Sequence, residues 1–204
     1  MGKGGEIALK VPLSLDCAPL SCRASYPSAG RQRWHGARHR LQSPVYGWAM
    51  LPAADNSANS WSALWKPVLR PLVYEEPLRL VERHREHGEP SFIVSAALQE
   101  VVEAMADDLG FDGALGTVCE VEDGVYTGRS VRSLHGEHKA EAVRELALEH
   151  GYDLAGSTAY SDSHTDLPFL EAVGNPVAVN PDRALRRVAS ERGWPVLRFG
   201  AHAA

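Results

Sequence analysis

Ser95, Lys139, Asp162 and Asp166 have the residue types and spacing that chemistry needs. Ser95 follows the apolar triplet Phe92-Ile93-Val94 and precedes a helical pattern. A hydroxyl at such a junction sits beside free amide groups that can hold a phosphate, although an ordinary helix N-cap uses the same residue type. Lys139 opens a helix after Gly136, where a cation opposes the helix dipole. A cation kept there can face an anion or can simply be solvated. Asp162 and Asp166 lie four apart, at a strand end and at the start of the following helix. Carboxylates so placed can bind magnesium or hydrogen-bond its ligands, and equally can cap a helix and complement its dipole. His164 lies between them, and His135 and His138 flank Gly136. With no second His or Cys at metal-ligand spacing, all three histidines are expected to be exposed.

These residues need elements to position them. From Leu72 onward the pattern is regular. Pro77 to His87 reads as a helix with Leu78, Leu80 and Val81 inward and Gly88 as its stop. Phe92 to Val94 is a short buried strand ending on Ser95, and Leu98 to Leu109 follows helical spacing up to Gly110. Val118 to Tyr126, broken by Asp123-Gly124, is a hairpin signal because both turn residues tolerate positive φ. A helix over Lys139 to His150 stops at Gly151, and Thr158 to Tyr160 is a strand ending at Ser161-Asp162. Val177 to Val179 is a strand leading into Asn180-Pro181, where Pro181 suits the first position of a helix running to Arg192. Val196-Leu197 reads as a last edge strand. Alternating strands and helices imply an α/β fold whose parallel sheet is covered on both faces. Chemistry in such sheets gathers at the carboxyl ends of the strands, where Ser95 and Asp162 both fall.

The first part of the chain differs. Ile7, Leu9, Val11, Leu13 and Leu15 alternate as in a strand despite Pro12. Residues 21–65 are rich in Arg, Ser, Pro and Trp without sustained periodicity, so loops or disorder are expected there. Residues 1–64 carry a charge of +4 and the remainder −9, within a net −5. The basic residues of the head are scattered rather than set along one helical face, which argues against nucleic acid as a partner. No run approaches the length of a membrane span, and the start lacks the continuous apolar stretch of a signal peptide. A cytoplasmic location without a membrane partner follows. Cys17, Cys22 and Cys119 form no metal-binding spacing and are expected as reduced thiols. Composition thus divides the chain into a head, residues 1–71, and a regular core, residues 72–204.

Taken together, the order strand-Ser, Lys 44 residues on, and Asp-x3-Asp 23 residues later is far more specific than any member alone. It resembles the second, third and fourth sequence motifs of the haloacid dehalogenase superfamily. The stretches HREHGEPSFIVSAA, LGTVCEVEDGVYTGR, HGEHKAEAV, AYSDSHTDLPFLEAVGNPVAVNPD and GWPVLRF resemble its IB subfamily, the phosphoserine phosphatase group, over roughly residues 72–199. The resemblance implies a three-layer Rossmann-like core and magnesium-dependent hydrolysis of a small phosphorylated metabolite. By it, Ser95 hydrogen-bonds the phosphoryl group, and Lys139 bridges the phosphoryl oxygens and the nucleophile. Asp162 ligates magnesium, and Asp166 orients Lys139 or the water shell of the metal. No role passes to His164. A phospho-receiver domain uses similar residues but places its acidic cluster before its lysine, the reverse of the order here.

The same resemblance calls for Asp-x-Asp-x-(Thr/Ser) at the end of a first strand. There the first Asp attacks phosphorus and the second protonates the leaving oxygen. The nearest text is Leu15-Asp16-Cys17-Ala18-Pro19-Leu20, where Asp16 stands for the nucleophile while Ala18 replaces the acid and Leu20 the hydroxyl. The expectation is therefore a phosphatase core incomplete at its nucleophile strand and impaired in turnover. The alternatives are an inactive phosphate-binding or regulatory pseudo-phosphatase, or the product of a truncated or frame-shifted gene.

Overall fold

The computed structural model describes residues 65–200 of the 204-residue chain. The alternating run at residues 7–15, residues 21–64, Asp16, Cys17 and Cys22 lie outside the described residues. A π-helical turn, Trp65–Leu69, and a 3-10 turn, Arg70–Leu72, lead into helix α1, Glu75–Glu86. Then follow β1, Phe92–Leu98; α2, Gln99–Leu109; β2, Gly113–Glu122; β3, Val125–Arg132; and α3, Glu137–His150. The chain continues through β4, Thr158–Ser161; a 3-10 turn, His164–Asp166; α4, Leu167–Glu171; β5, Asn175–Val179; α5, Arg183–Arg192; and β6, Val196–Leu197.

The strands form two three-stranded sheets, β1-β2-β3 and β4-β5-β6. All pairings are parallel except the β2–β3 hairpin. Successive strand residues point to opposite faces, and the two apolar clusters show that both sheets serve the same two cores. One cluster joins Ile93 of β1 with Tyr160 of β4 and Val179 of β5, under Val102 and Met105 of α2 and Val81 of α1. The other joins Phe92 and Val94 of β1 with Ala159 of β4 and Ala178 of β5, under Val143 and Leu146 of α3, Phe169 of α4 and Leu185 of α5. The two sheets are thus halves of one layer between two helical layers. Each large side chain withdrawn from water there contributes about 1.5–3 kcal/mol.

Several boundaries follow directly from residue chemistry. Gly110 and Gly151 end α2 and α3 in the left-handed conformation, φ 75° and 72°. Asp123 and Gly124, at φ 51° and 81°, make the hairpin turn. Other boundaries differ from expectation. Trp65 and Leu69 are buried in the first cluster, so the packed region already includes residues before Leu72. An isolated Trp in aperiodic text carries no periodic signal, which is why the sequence pattern starts later than the core does. The hairpin strands are longer than expected because β2 begins at Gly113, where three residues first pair with β1 before the strand turns to its hairpin partner. Pro181 precedes the cap of α5 and does not occupy its first turn. Asp182 is the N-cap, and its carboxylate accepts the Leu185 N–H at 2.7 Å. Cys119, buried on β2, is disulfide-bonded, contrary to the expectation of reduced thiols from compartment alone. No helix among the described residues is long and apolar enough to cross a membrane.

Candidate functional site

The carboxyl end of β4 is built from hydroxyls and carboxylates. Ser161, the last strand residue, is fully buried, and its Oγ donates to Asp166 Oδ2 at 2.7 Å. The other oxygen, Asp166 Oδ1, accepts from Lys139 Nζ at 2.7 Å. Lys139 and Asp166 are 3% and 2% exposed, so this is a buried ion pair with its acceptor oxygens shared between an ammonium and a hydroxyl. Two charges taken out of water are tolerated only when such hydrogen bonds complete the pair. The loop is folded back on itself, with the Ser163 N–H donating to Ser161 Oγ at 3.3 Å.

Lys139 reaches this position because of the residues before it. Gly136 caps α3 at φ 58° and ψ −124°, a conformation open to glycine. The helix then starts at Glu137, placing Lys139 in its first turn with its side chain inward. Leu134, just upstream, is buried, and its N–H donates to Thr117 Oγ at 3.1 Å. Thr117 Oγ in turn donates to the Ala96 carbonyl at 2.8 Å. One hydroxyl on β2 therefore ties the segment that carries Ser95 to the loop that launches Lys139.

Ser95 departs from its expected setting. It lies inside β1, not at its end, and α2 begins only at Gln99 with Leu98 as an N-cap that makes no side-chain hydrogen bond. Ser95 is therefore not a helix cap. β1 loses its regular pairing with β2 between Val94 and Leu98, and in that stretch the half-buried Ser95 Oγ accepts the Ala97 N–H at 3.2 Å.

Asp162 follows Ser161 at the rim and is half-buried. Its carbonyl accepts the Asp182 N–H at 2.8 Å, and Asp182 Oδ2 accepts the His164 N–H at 2.7 Å. Asp182 thus caps α5 and clamps the Asp162 loop at once. Burial works against its charge, but the N–H groups of His164, Leu185 and Ala184 outweigh burial and hold its carboxyl below the ordinary value. His164, His135 and His138 are exposed, and His138 pairs with Glu141 at 3.0 Å.

The structure thus brings Lys139 and Asp166 into contact and sets Asp162 one residue beyond Ser161. Thr117 ties the Ala96 carbonyl, next to Ser95, to the Leu134 N–H upstream of Lys139, and the Ser95 hydroxyl itself accepts the Ala97 N–H; Asp16 lies outside the described residues. Ser161, Thr117 and Asp182 are supporting residues that motif spacing does not reveal. Their only sequence signal is a lone hydroxyl in an apolar strand, or an Asp just before a helical run. Both Asp166 oxygens are occupied, so Asp162 is the carboxylate of this loop with the hard-oxygen chemistry and partial exposure that suit magnesium. Such an ion keeps several waters and takes one or two protein carboxylates beside substrate phosphate. Among the described residues no group of three or more His, Cys, Asp or Glu side chains forms a closed metal cage.

Comparison with known proteins places this arrangement in context. The family model for haloacid dehalogenase-like hydrolase matches residues 16–171. The chain is 50% identical over 163 residues to the "Inhibition of morphological differentiation protein" of Streptomyces azureus, covering 79% of this chain and 57% of that protein. It is 42% identical over 137 residues to a phosphoserine phosphatase of Mycobacterium tuberculosis, covering 67% of this chain and 44% of the other. A phosphoserine phosphatase solved with substrate bound superposes with a TM-score of 0.54 at 21% identity, covering 69% of each chain, a likeness of fold. The chain spans about half the length of the curated relatives it matches.

Proposed function

The chain belongs to the haloacid dehalogenase-like hydrolase family, and from that premise we propose that its site is that of a magnesium-dependent phosphomonoesterase for a small phosphorylated metabolite, impaired in turnover. The observation that carries this reading is the buried Lys139–Asp166–Ser161 cluster at the carboxyl end of β4. A lysine fixed there by a carboxylate is preorganised to stabilise charge developing on phosphoryl oxygens, without reorganisation at the moment of reaction. Ser95 supplies a hydroxyl for the same group, and Asp162 is the protein ligand for magnesium. Magnesium, when bound, neutralises phosphate charge and orients it. Asp166 acts through Lys139 and is a positioning residue.

Hydrolysis in this family scheme takes two steps: a carboxylate oxygen bonds to phosphorus as the ester P–O bond breaks and the departing oxygen takes a proton, and water then attacks phosphorus, breaking the carboxylate O–P bond to release phosphate and the free carboxylate. The Asp-x-Asp-x-(Thr/Ser) motif that would supply nucleophile and proton donor is not recognisable in the chain; in the nearest text, at Asp16, Ala18 stands where the proton donor belongs and Leu20 where a hydroxyl belongs. General acid catalysis typically contributes 10²–10⁴-fold, so a leaving group of high pKa departs slowly here. Phosphoserine is the first substrate to try, in line with the name of the mycobacterial relative. With magnesium present, hydrolysis of phosphoserine and p-nitrophenyl phosphate is expected to stay close to that of a Lys139→Ala, Asp162→Asn control. Rapid turnover would refute the impairment.

A second reading is favoured by the start of the family match at residue 16 itself. In it Asp16 attacks phosphorus, and an activated ester such as p-nitrophenyl phosphate turns over without the missing acid. Asp16→Asn then abolishes magnesium-dependent release of p-nitrophenol, whereas under the first reading it changes little.

A further inference from the structure

Beyond Thr117 the β2–β3 hairpin takes no part in the chemistry above. β2 pairs with β1 only as far as Thr117, so from Val118 to Arg132 the sheet is two strands wide. A two-stranded hairpin is marginal in water by itself. β3 is the edge of its sheet and has no buried residue. Of the six large apolar side chains exposed among the described residues, four are valines of this hairpin: Val118, Val121, Val125 and Val131. Exposed apolar surface gathered in one place marks an interaction site.

Cys119 sits within this surface. Val121 lies opposite Tyr126, and directly opposed strand residues share a face. Tyr126 packs, half-buried, against the first apolar cluster, to which Cys119 belongs. Apolar surface therefore continues from that cluster along the hairpin to Val121. Cys119 itself is 5% exposed and disulfide-bonded. The chain has two other cysteines, Cys17 and Cys22, both upstream of the described residues. A disulfide holds its two Cα atoms about 4.4–6.8 Å apart, so whatever carries the partner sulfur lies against β2, within two residues of Val118 and Val121.

We propose that the β2–β3 hairpin is the docking surface for the chain's own N-terminal segment, fastened there by a disulfide from Cys119 to Cys17 or Cys22. The segment suits the surface, since Leu13, Leu15, Ala18 and Leu20 bring apolar side chains to the valines. About forty residues separate Cys22 from Trp65, and a flexible chain of that length spans roughly 35 Å, enough to reach the hairpin. Closing the bridge turns two thiols into one disulfide. The two electrons and two protons pass to a small-molecule disulfide, which leaves as two thiols, and a dithiol reverses the step. Asp16 directly precedes Cys17, so the bridge also confines it to the neighbourhood of β2. The docking itself does not depend on the phosphatase reading.

The test uses the full chain, purified without reductant, alkylated at its free thiols and digested with trypsin for mass spectrometry. The peptide of residues 11–23 should be joined to the peptide of Cys119 and released by dithiothreitol, with one thiol alkylated per chain before reduction and three after. Val121→Asp, at an exposed position, should loosen the docked segment and speed reduction of the bridge severalfold. Leu148→Asp, at an exposed apolar position on α3, should leave that rate unchanged. Three free thiols, a Cys17–Cys22 bridge or a bridge between two chains overturns the proposal. So does a Val121→Asp chain whose bridge is reduced no faster than that of wild type.

Discussion

Helices α3 and α5 both carry a cation in the first turn, Lys139 two residues after Glu137 in α3 and Arg183 at the first position of α5, yet their starts are built differently. Lys139 of α3 is buried and locked to Asp166, which is locked in turn by Ser161. Arg183, Arg186 and Arg187 of α5 are exposed, and the buried part of that start is the apolar Leu185. The difference teaches that a cation at a helix start is informative according to its burial. A buried one cannot be left without a counter-charge, so its partner is a structural necessity as well as a piece of chemistry. An exposed one costs little.

The largest consequence of that contrast is for stability. Lys139→Ala or Asp166→Ala leaves an uncompensated buried charge and should cost about 3–5 kcal/mol, read from urea unfolding of the full chain. Arg183→Ala should stay within about 0.5 kcal/mol of wild type. Equal effects at the two helices would break the comparison. A smaller effect is expected upstream of α3. Thr117→Val keeps the shape but strips the Leu134 N–H of its buried acceptor, at a cost of about 1–3 kcal/mol. Because Thr117 links the Ser95 segment to the Lys139 loop, the same variant should weaken phosphate binding more than a change of equal stability cost on the far hairpin.

The smallest effect sharpens the α5 side. Asp182→Ala removes a cap and should cost about 1 kcal/mol at neutral pH. The Asp182 carboxyl is held below the ordinary aspartate value of about 3.9. Its stabilisation is therefore complete above that unfolded-state value and is lost as pH falls through the lower folded-state one. The stability gap between wild type and Asp182→Ala should accordingly be constant from pH 7 down to about 4 and should close below it. A gap that widens with acid would show that Asp182 is not stabilised as its anion.

Much of the fold was legible because its signals are local. The glycines after α2 and α3, the Asp123-Gly124 turn and the apolar triplets of β1, β4 and β5 each declare themselves within a few residues. What escaped depends on distant partners. The Gly113 to Leu115 stretch is a strand only because β1 lies beside it. Ser95 resembles a helix cap locally, yet β1 runs on to Leu98 and the helix waits for Gln99. Within the site, Lys139, Asp162 and Asp166 were visible as spaced charges, whereas Ser161 and Thr117 were single hydroxyls whose acceptors lie on other elements. Trp65 entered the core from aperiodic text for the same reason.

Titration of inorganic phosphate into the full chain, with and without magnesium, tests most directly whether this rim is a phosphate and magnesium site. Wild-type chain should bind phosphate more tightly with magnesium than without it. Asp162→Asn should remove the magnesium effect while the circular dichroism of the fold is kept, since the Lys139–Asp166–Ser161 cluster does not pass through the Asp162 carboxylate. Phosphate binding that ignores magnesium, or a magnesium effect that persists in Asp162→Asn, would contradict the account.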